Sequence, residues 1–293
     1  MTRVSPKVLG LLSALTLVWG TNWPLFRIAL EELPVLTFRT IVLASAVTVL
    51  TVILLVRRES FAVPKGKWLP LIVASAMNIL VWNIATSFAV LYIPSGHASV
   101  LAYTMPLWVA LMGFVVFRQK LTGRLLAAIL IGAAAVVALM APNFKSYAQA
   151  PLGLFWGLFA GFCWAIGTFV VKRTSWPGMG LSLTFWQVLL TFPPIAIGAL
   201  LIDGLPTHWP SAKVLAATIY TGSIPMALGT ATWFALVKLL PAQVAALSSI
   251  AIPIVAIVSG ILLLHEPLSA LQAVAIASTV ISLWLALVPG RQA

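Results

Sequence analysis

From residue 8 to residue 288 the chain is one long apolar stretch after another, each near the ~20 residues that a helix needs to cross ~30 Å of hydrocarbon. The stretches run over about 8–29, 35–56, 68–91, 95–117, 124–142, 152–172, 179–202, 213–237, 242–264 and 270–288. Turn signals separate them, among them Glu31 to Pro34, Pro64 to Lys67, Pro94 to Gly96 and Pro177 to Gly180. With 62% hydrophobic and only 8% charged residues, a water-soluble fold would lack the polar surface to cover itself. The stretches are continuously apolar rather than alternating, which excludes a membrane β-barrel. The expected fold class is therefore all-α: a polytopic membrane protein of ten transmembrane helices.

The formal charge of +12 does not point to nucleic acid, because the basic residues fall in short loops between spans, where they act as orientation signals. With a cytoplasmic N-terminus, one face collects thirteen of the 17 Lys and Arg, among them Arg57, Arg58, Lys65, Lys67, Arg118, Lys172, Arg173 and Lys238. The other receives Arg27, Lys145 and Lys213, and Arg39 lies inside a span. That asymmetry places both termini in the cytoplasm. The first span follows Arg3 and Lys7 without a small-residue cleavage site and is read as a retained helix. The single cysteine, Cys163, rules out a disulfide framework.

A register shift of 147 residues lays "VLTFRTIVLAS" at 35–45 over "SLTFWQVLLTF" at 182–192, and superposes Pro94 on Pro241 and Pro106 on Pro253. Near the N-terminus a shift of 145 matches Trp19 to Trp164 and Arg27 to Lys172. Two repeats are expected, residues 1–146 and 147–293. Each holds five spans, an odd number, so the second must cross the membrane in the sense opposite to the first. Inverted repeats of this kind build secondary transporters around a shared midplane site; an old duplication without a transport role is the competing account.

Four segments carry a family resemblance: "WGTNW" in the first span, "LTFR" opening the second, "AYTMPLWVAL" in the fourth and "SSIAIPIVAIVSGILLLHEPLS" from the ninth into the tenth. Together they resemble the EamA branch of the drug/metabolite transporter superfamily, nearest its YddG-type exporters of aromatic amino acids. The resemblance implies an inner-membrane exporter of amino acids and related metabolites, with a central cavity between the halves. The chain departs from that pattern at Gln119, where the family carries Glu, and at Trp186, where the arginine that follows "LTF" in the first half is absent.

Intramembrane polar groups must face protein or water. In the first span Gly20 and Pro24 loosen the helix beside Trp19, and Thr21 and Asn22 are offered inward, with helix packing as the alternative. In the third span Ser75, Asn78, Trp82 and Thr86 recur at steps of three or four, with Asn83 beside them. Weaker faces hold Ser99, Tyr103 and Pro106 in the fourth span, Tyr220, Ser223 and Thr230 in the eighth, and Ser248, Ser249 and Pro253 in the ninth. Trp19, Trp82, Trp108, Trp164 and Trp233 lie too deep for an interfacial belt. Deep aromatics beside amides suit a planar ligand with one polar end, such as an aromatic amino acid. The candidate substrate residues are accordingly Trp19, Asn22, Asn78, Trp82, Asn83, Tyr103, Trp164, Ser248 and Ser249, with core packing the competitor at each.

Arg39 is expected to pair with Glu31 or Glu32; snorkelling and attraction of a carboxylate are the alternatives. Gly153, Gly157 and Gly161 form a small-residue face for packing between the halves or in a homodimer. His97, His208 and His265 have no ligand spacing, and the chain carries no cofactor motif. No nucleophile and base pair at one depth, so no enzyme is expected, and no filter sequence indicates a channel. No Asp or Glu lies deep in a span, which favours a facilitator or exchanger; a nucleotide-sugar or other metabolite carrier with proton coupling is the alternative.

Overall fold

The computed structural model describes residues 6–118, 123–140, 150–205, 209–240 and 249–264, with single positions 245, 274, 277, 278 and 281. The described residues form helices and connecting turns, without strands. In chain order these are α1 (Pro6–Gly20, resuming as Asn22–Ala29), α2 (Val35–Arg57), α3 (Trp68–Tyr92), α4 (Ser95–Val115), α5 (Gly123–Met140), α6 (Pro151–Arg173), α7 (Ser182–Asp203), α8 (Ala212–Leu239) and α9 (Ile252–Leu264). Seven of them, α1 to α4 and α6 to α8, are long and apolar enough to cross a membrane. The chain is a multi-pass membrane protein. The expected tenth span, 270–288, lies almost wholly outside the described residues. Of the expected ninth span, 242–264, the residues 242–248 other than Ala245 lie outside the described residues; a 3-10 turn Ser249–Ala251 runs into α9.

Several helices are broken, and proline chemistry accounts for the breaks. Pro24 has no N–H to give the carbonyl of Gly20, four residues back. The helix turns at Thr21, and the Gly20 carbonyl lies 3.4 Å from Ser259 Oγ of α9, whose shorter contact is the Ala256 carbonyl at 3.0 Å. Pro106 likewise cannot serve Ala102, and α4 is interrupted at Tyr103 and Thr104 before resuming as Met105–Val115. Two helices pass through π-helical segments, α3 at Ser75–Val81 and α8 at Gly222–Gly229, and a third such segment ends α7 at Ala199–Asp203.

These landmarks recur at one interval. The starts of α2 and α7 (Val35, Ser182), the π segments of α3 and α8 (Ser75, Gly222), the ends of α3 and α8 (Tyr92, Leu239) and the helices that follow the breaks (Met105, Ile252) are each 147 residues apart.

The helices of the two halves pack across one another. First-half α1 packs on α8 and α9, while second-half α6 packs on α3 and α4, and α2 lies against α7 and α8. The glycine face of α6 makes its approach possible. A Cβ at Gly153 would meet Ile93 and Tyr92, one at Gly157 would meet Leu101, and one at Gly161 would sit 2.6 Å from the carbonyl oxygen of Ala102. The face expected to serve the halves or a homodimer thus serves the halves.

Contacts between loops gather the helix ends into two faces. On one, Lys172 Nζ donates to the carbonyls of Val237 (2.9 Å) and Leu240 (2.8 Å), Lys238 Nζ to Met179 (2.8 Å), and Trp186 Nε1 to Phe61 (2.6 Å). Glu59 accepts from Leu181 N at 3.3 Å and pairs with Arg57 at 3.4 Å. On the other face, Asp203 accepts from Thr37 N (2.7 Å) and Oγ1 (2.9 Å), and Glu32 from Ser211 N (2.6 Å) and Oγ (2.7 Å). Each of these three carboxylates therefore ties the first half to the second.

Candidate substrate site

Where α1, α2 and α8 meet α3, α4 and α6, the side chains leave a cavity lined by Trp19, Asn22, Trp23, Phe26, Arg39, Trp82, Tyr103, Trp164, Thr221, Pro225, Met226 and Thr230. The helix breaks deliver many of these residues. Trp19 and Asn22 flank the interruption of α1, Tyr103 is the residue at which α4 stops, and Pro225 and Met226 lie in the π segment of α8.

The wall is a set of aromatic rings in mutual contact. Trp164 meets Trp82 at 4.5 Å between ring centroids and Trp19 at 5.7 Å, the latter edge to face. Trp82 continues to Tyr103 at 5.8 Å, Tyr103 to Trp23 at 6.1 Å, and Trp23 to Phe26 at 5.5 Å. Trp233 supports the cluster from behind, 5.8 Å from Trp19 and 6.3 Å from Trp164. Of the five deep tryptophans Trp108 alone stands apart, against Phe162 at 5.3 Å.

Polar groups punctuate this wall. Trp19 Nε1 donates to the carbonyl of Pro225 at 2.9 Å, which fixes its indole. Thr221 Oγ1 lies 2.8 Å from the carbonyl of Ala217 and 2.9 Å from Asn22 Oδ1. A hydroxyl has one proton and cannot serve both acceptors. Turning the Asn22 amide over lets Thr221 donate to Ala217 and accept from Asn22, which leaves the amide oxygen for the cavity.

Arg39 is wholly buried. It reaches from α2 to α3, donating from Nε to Ser87 Oγ at 2.6 Å and from Nη2 to Thr86 Oγ1 at 3.0 Å. Its guanidinium carbon lies 4.1 Å from the ring centre of Phe26 and 4.7 Å from that of Phe38, within cation–π range. The expected partners were Glu31 and Glu32, but the hydroxyls of α3 hold Arg39 and Glu32 turns to Ser211.

Of the candidate residues, Trp19, Asn22, Trp82, Tyr103 and Trp164 are brought together around the cavity. Asn78 is not among its lining residues: its Nδ2 donates to Gln187 Oε1 at 3.2 Å, and its side chain fills the space over Gly167. Asn83 donates to the carbonyl of Ile79 within its own helix at 2.7 Å. Ser249 is buried and is not among the lining residues, and Ser248 lies outside the described residues.

Phase explains much of what the periodicity missed. A π turn holds an extra residue, so a stripe drawn at 3.6 residues per turn slips by ~100° for each residue inserted. In α8 the stripe of Tyr220, Ser223 and Thr230 brings only Thr230 to the cavity; Tyr220 is exposed, and Thr221, Pro225 and Met226, off the stripe, line the wall beside Thr230. In α3 the stripe crosses Ser75–Val81, and only its Trp82 reaches the wall.

The cavity offers about 40 Å³ to water, room for roughly three molecules at the ~10–15 Å³ that each requires. That is too little for an aromatic amino acid, which enters only if the helices part.

Comparison with known proteins agrees with this architecture. The model of the EamA-like transporter family matches residues 7–141 and 151–288. The uncharacterized transporter YvbV of Bacillus subtilis is 27% identical over 88% of this chain and 84% of its own length. Proteins named probable amino-acid metabolite efflux pump, from Escherichia coli and Salmonella typhimurium, are 26% and 25% identical over 90% of this chain and 89% of theirs. A crystal structure superposes with a TM-score of 0.72 over 93% of this chain and 97% of that one, at 19% identity.

Proposed function

Because the chain belongs to the EamA-like transporter family, we propose that it exports amino acids, aromatic and other largely neutral ones among them, through the cavity that Trp19, Trp82, Trp164 and Tyr103 enclose. It is a membrane transporter rather than an enzyme. The observation that carries the substrate class is the wall itself: five tryptophan and tyrosine rings in mutual contact, interrupted by one amide and one guanidinium. An aromatic side chain gains dispersion and quadrupole contacts there, and its polar end finds Asn22 and Arg39. The two efflux pumps among its relatives support the same class. Phosphate-bearing substrates call for several cations, and among the described residues Arg39 is the one cation of this lining.

The transport cycle is alternating access between two inverted five-helix repeats, residues 1–146 and 147–293. The 147-residue recurrence of helix starts and π segments supports the repeat, as do the two stretches matched by the family model. Both termini lie in the cytoplasm, with the basic face carrying Arg57, Lys172 and Lys238 inward and the face carrying Glu32 and Asp203 outward, in the inner membrane of a bacterium. Among the described residues no carboxylate lines the cavity, which supports a facilitator or exchanger that moves substrate down its own gradient.

Purified protein in liposomes tests this. Labelled L-phenylalanine should exchange against internal unlabelled L-phenylalanine without an imposed proton gradient. Strict dependence on such a gradient rejects the mechanism, and counterflow with a nucleotide sugar in place of the amino acid rejects the substrate class.

A further inference from the structure

We propose that Arg39 is the carboxylate anchor of the substrate site: the end edge of its guanidinium, formed by Nη1 and the second hydrogen of Nη2, receives the α-carboxylate. The inference rests on the cavity being the substrate site and names the group that reads one end of the substrate.

The guanidinium has five N–H donors in a fixed planar fork. Ser87 and Thr86 occupy its side edge through Nε and Nη2. Nη1 is buried and has no hydrogen-bond partner among the described residues. Arg39 forms part of the cavity wall, and the edge left over is the one that binds carboxylates with two parallel hydrogen bonds. Among the described residues its charge also has no counter-ion. Arg39 is held there by two neutral hydroxyls and two phenyl rings, and a cation removed from water without a counter-ion is costly. A substrate carboxylate supplies the counter-charge and the acceptors together.

The surroundings fix the rest of the substrate. Phe26 lies beneath the guanidinium, and from it the contacts run through Trp23 and Tyr103 to Trp82 and Trp164. A carboxylate on Arg39 thus directs its side chain along aromatic rings. Asn22 lies in the same wall, and its amide oxygen suits the ammonium. Hydroxyls that hold the side edge keep the fork oriented before substrate arrives, so little order need be created on binding.

Three probes separate the parts of this reading: L-phenylalanine, 3-phenylpropionate, which keeps the carboxylate and lacks the ammonium, and L-phenylalaninamide, which lacks the carboxylate. Each is titrated into the detergent-purified protein and followed by quenching of its tryptophan fluorescence. The two carboxylates are expected to bind about 10- to 100-fold more tightly than the amide, the range that corresponds to one charge-assisted pair. Arg39→Lys keeps the charge but loses the fork, and is expected to erase most of that ratio by weakening the acids while leaving the amide unchanged. A purely structural Arg39 would shift all three probes together. Equal binding of acid and amide by the unmodified protein overturns the anchor and leaves the transport reading standing, and needs no variant to fold. Failure of the unmodified protein to bind any of the three overturns both. An unchanged ratio in well-folded Arg39→Lys overturns the anchor alone.

Discussion

At the scale of residues, the cavity wall makes its own forecasts. Trp164 touches both Trp82 and Trp19, so Trp164→Ala should raise the KM for phenylalanine export at least about tenfold and lower stability by roughly 3–5 kcal/mol. Transport kinetics and thermal unfolding of the purified variant check the two parts; unchanged KM in a folded variant would remove Trp164 from the substrate path. Gly229 gives a subtler case, because a Cβ there would collide with Nε1 of Trp19. Gly229→Ala should dislodge that indole from the Pro225 carbonyl, cost about 1–3 kcal/mol and shift the tryptophan emission. Individual residues were partly legible in the sequence. Trp19, Trp82 and Trp164 stood out because the interfacial belt could not explain indoles at that depth. Arg39 was visible as a buried charge, but its hydroxyl partners on α3 depend on how helices distant in sequence are apposed. Asn78 carried an equally strong signal and went elsewhere, since a buried amide is satisfied as well by Gln187 as by a ligand.

At the scale of elements, prolines and glycines set the close approaches. Pro106 frees the carbonyl of Ala102, and Gly161 of α6 lies directly against it. Gly161→Ala should therefore cost about 1–3 kcal/mol by pushing α6 off α4, whereas Gly10→Ala, with open space around its position, should leave stability unchanged or slightly raised. Paired thermal-unfolding measurements decide this, and equal effects would argue against the α6 approach described here. Helix spans were readable because hydrocarbon thickness dictates their length. The π segments were not, because hydropathy registers how apolar a stretch is and takes no account of whether its carbonyls bond four or five residues onward. That is why the eighth-span face was drawn from Tyr220 while Thr221 holds Asn22.

At the scale of the whole molecule, few carboxylates serve as fastenings. Asp203 holds the start of α2, and Glu32 holds the start of α8. Asp203→Ala should loosen that face. A single cysteine placed at Asn22, in a chain carrying Cys163→Ala, should then react faster with a membrane-impermeant thiol reagent added to that side. An unchanged rate would show that other contacts keep the face shut. The 147-residue spacing of helix starts and π segments was legible as a faint shift in the sequence, and the glycine face of α6 announced a close approach that falls on the other half; that α1 leans on α8 and α9 was not legible, because a repeat in sequence says nothing about which copy a helix leans on.

The matched π segments of α3 and α8 have a mechanical corollary. In the inverted arrangement proposed above, a bend at both segments would swing one copy toward the cell interior and the other away from it. Stiffening a single joint should thus tilt the balance of resting shapes toward one side of the membrane, and stiffening its counterpart should tilt it back.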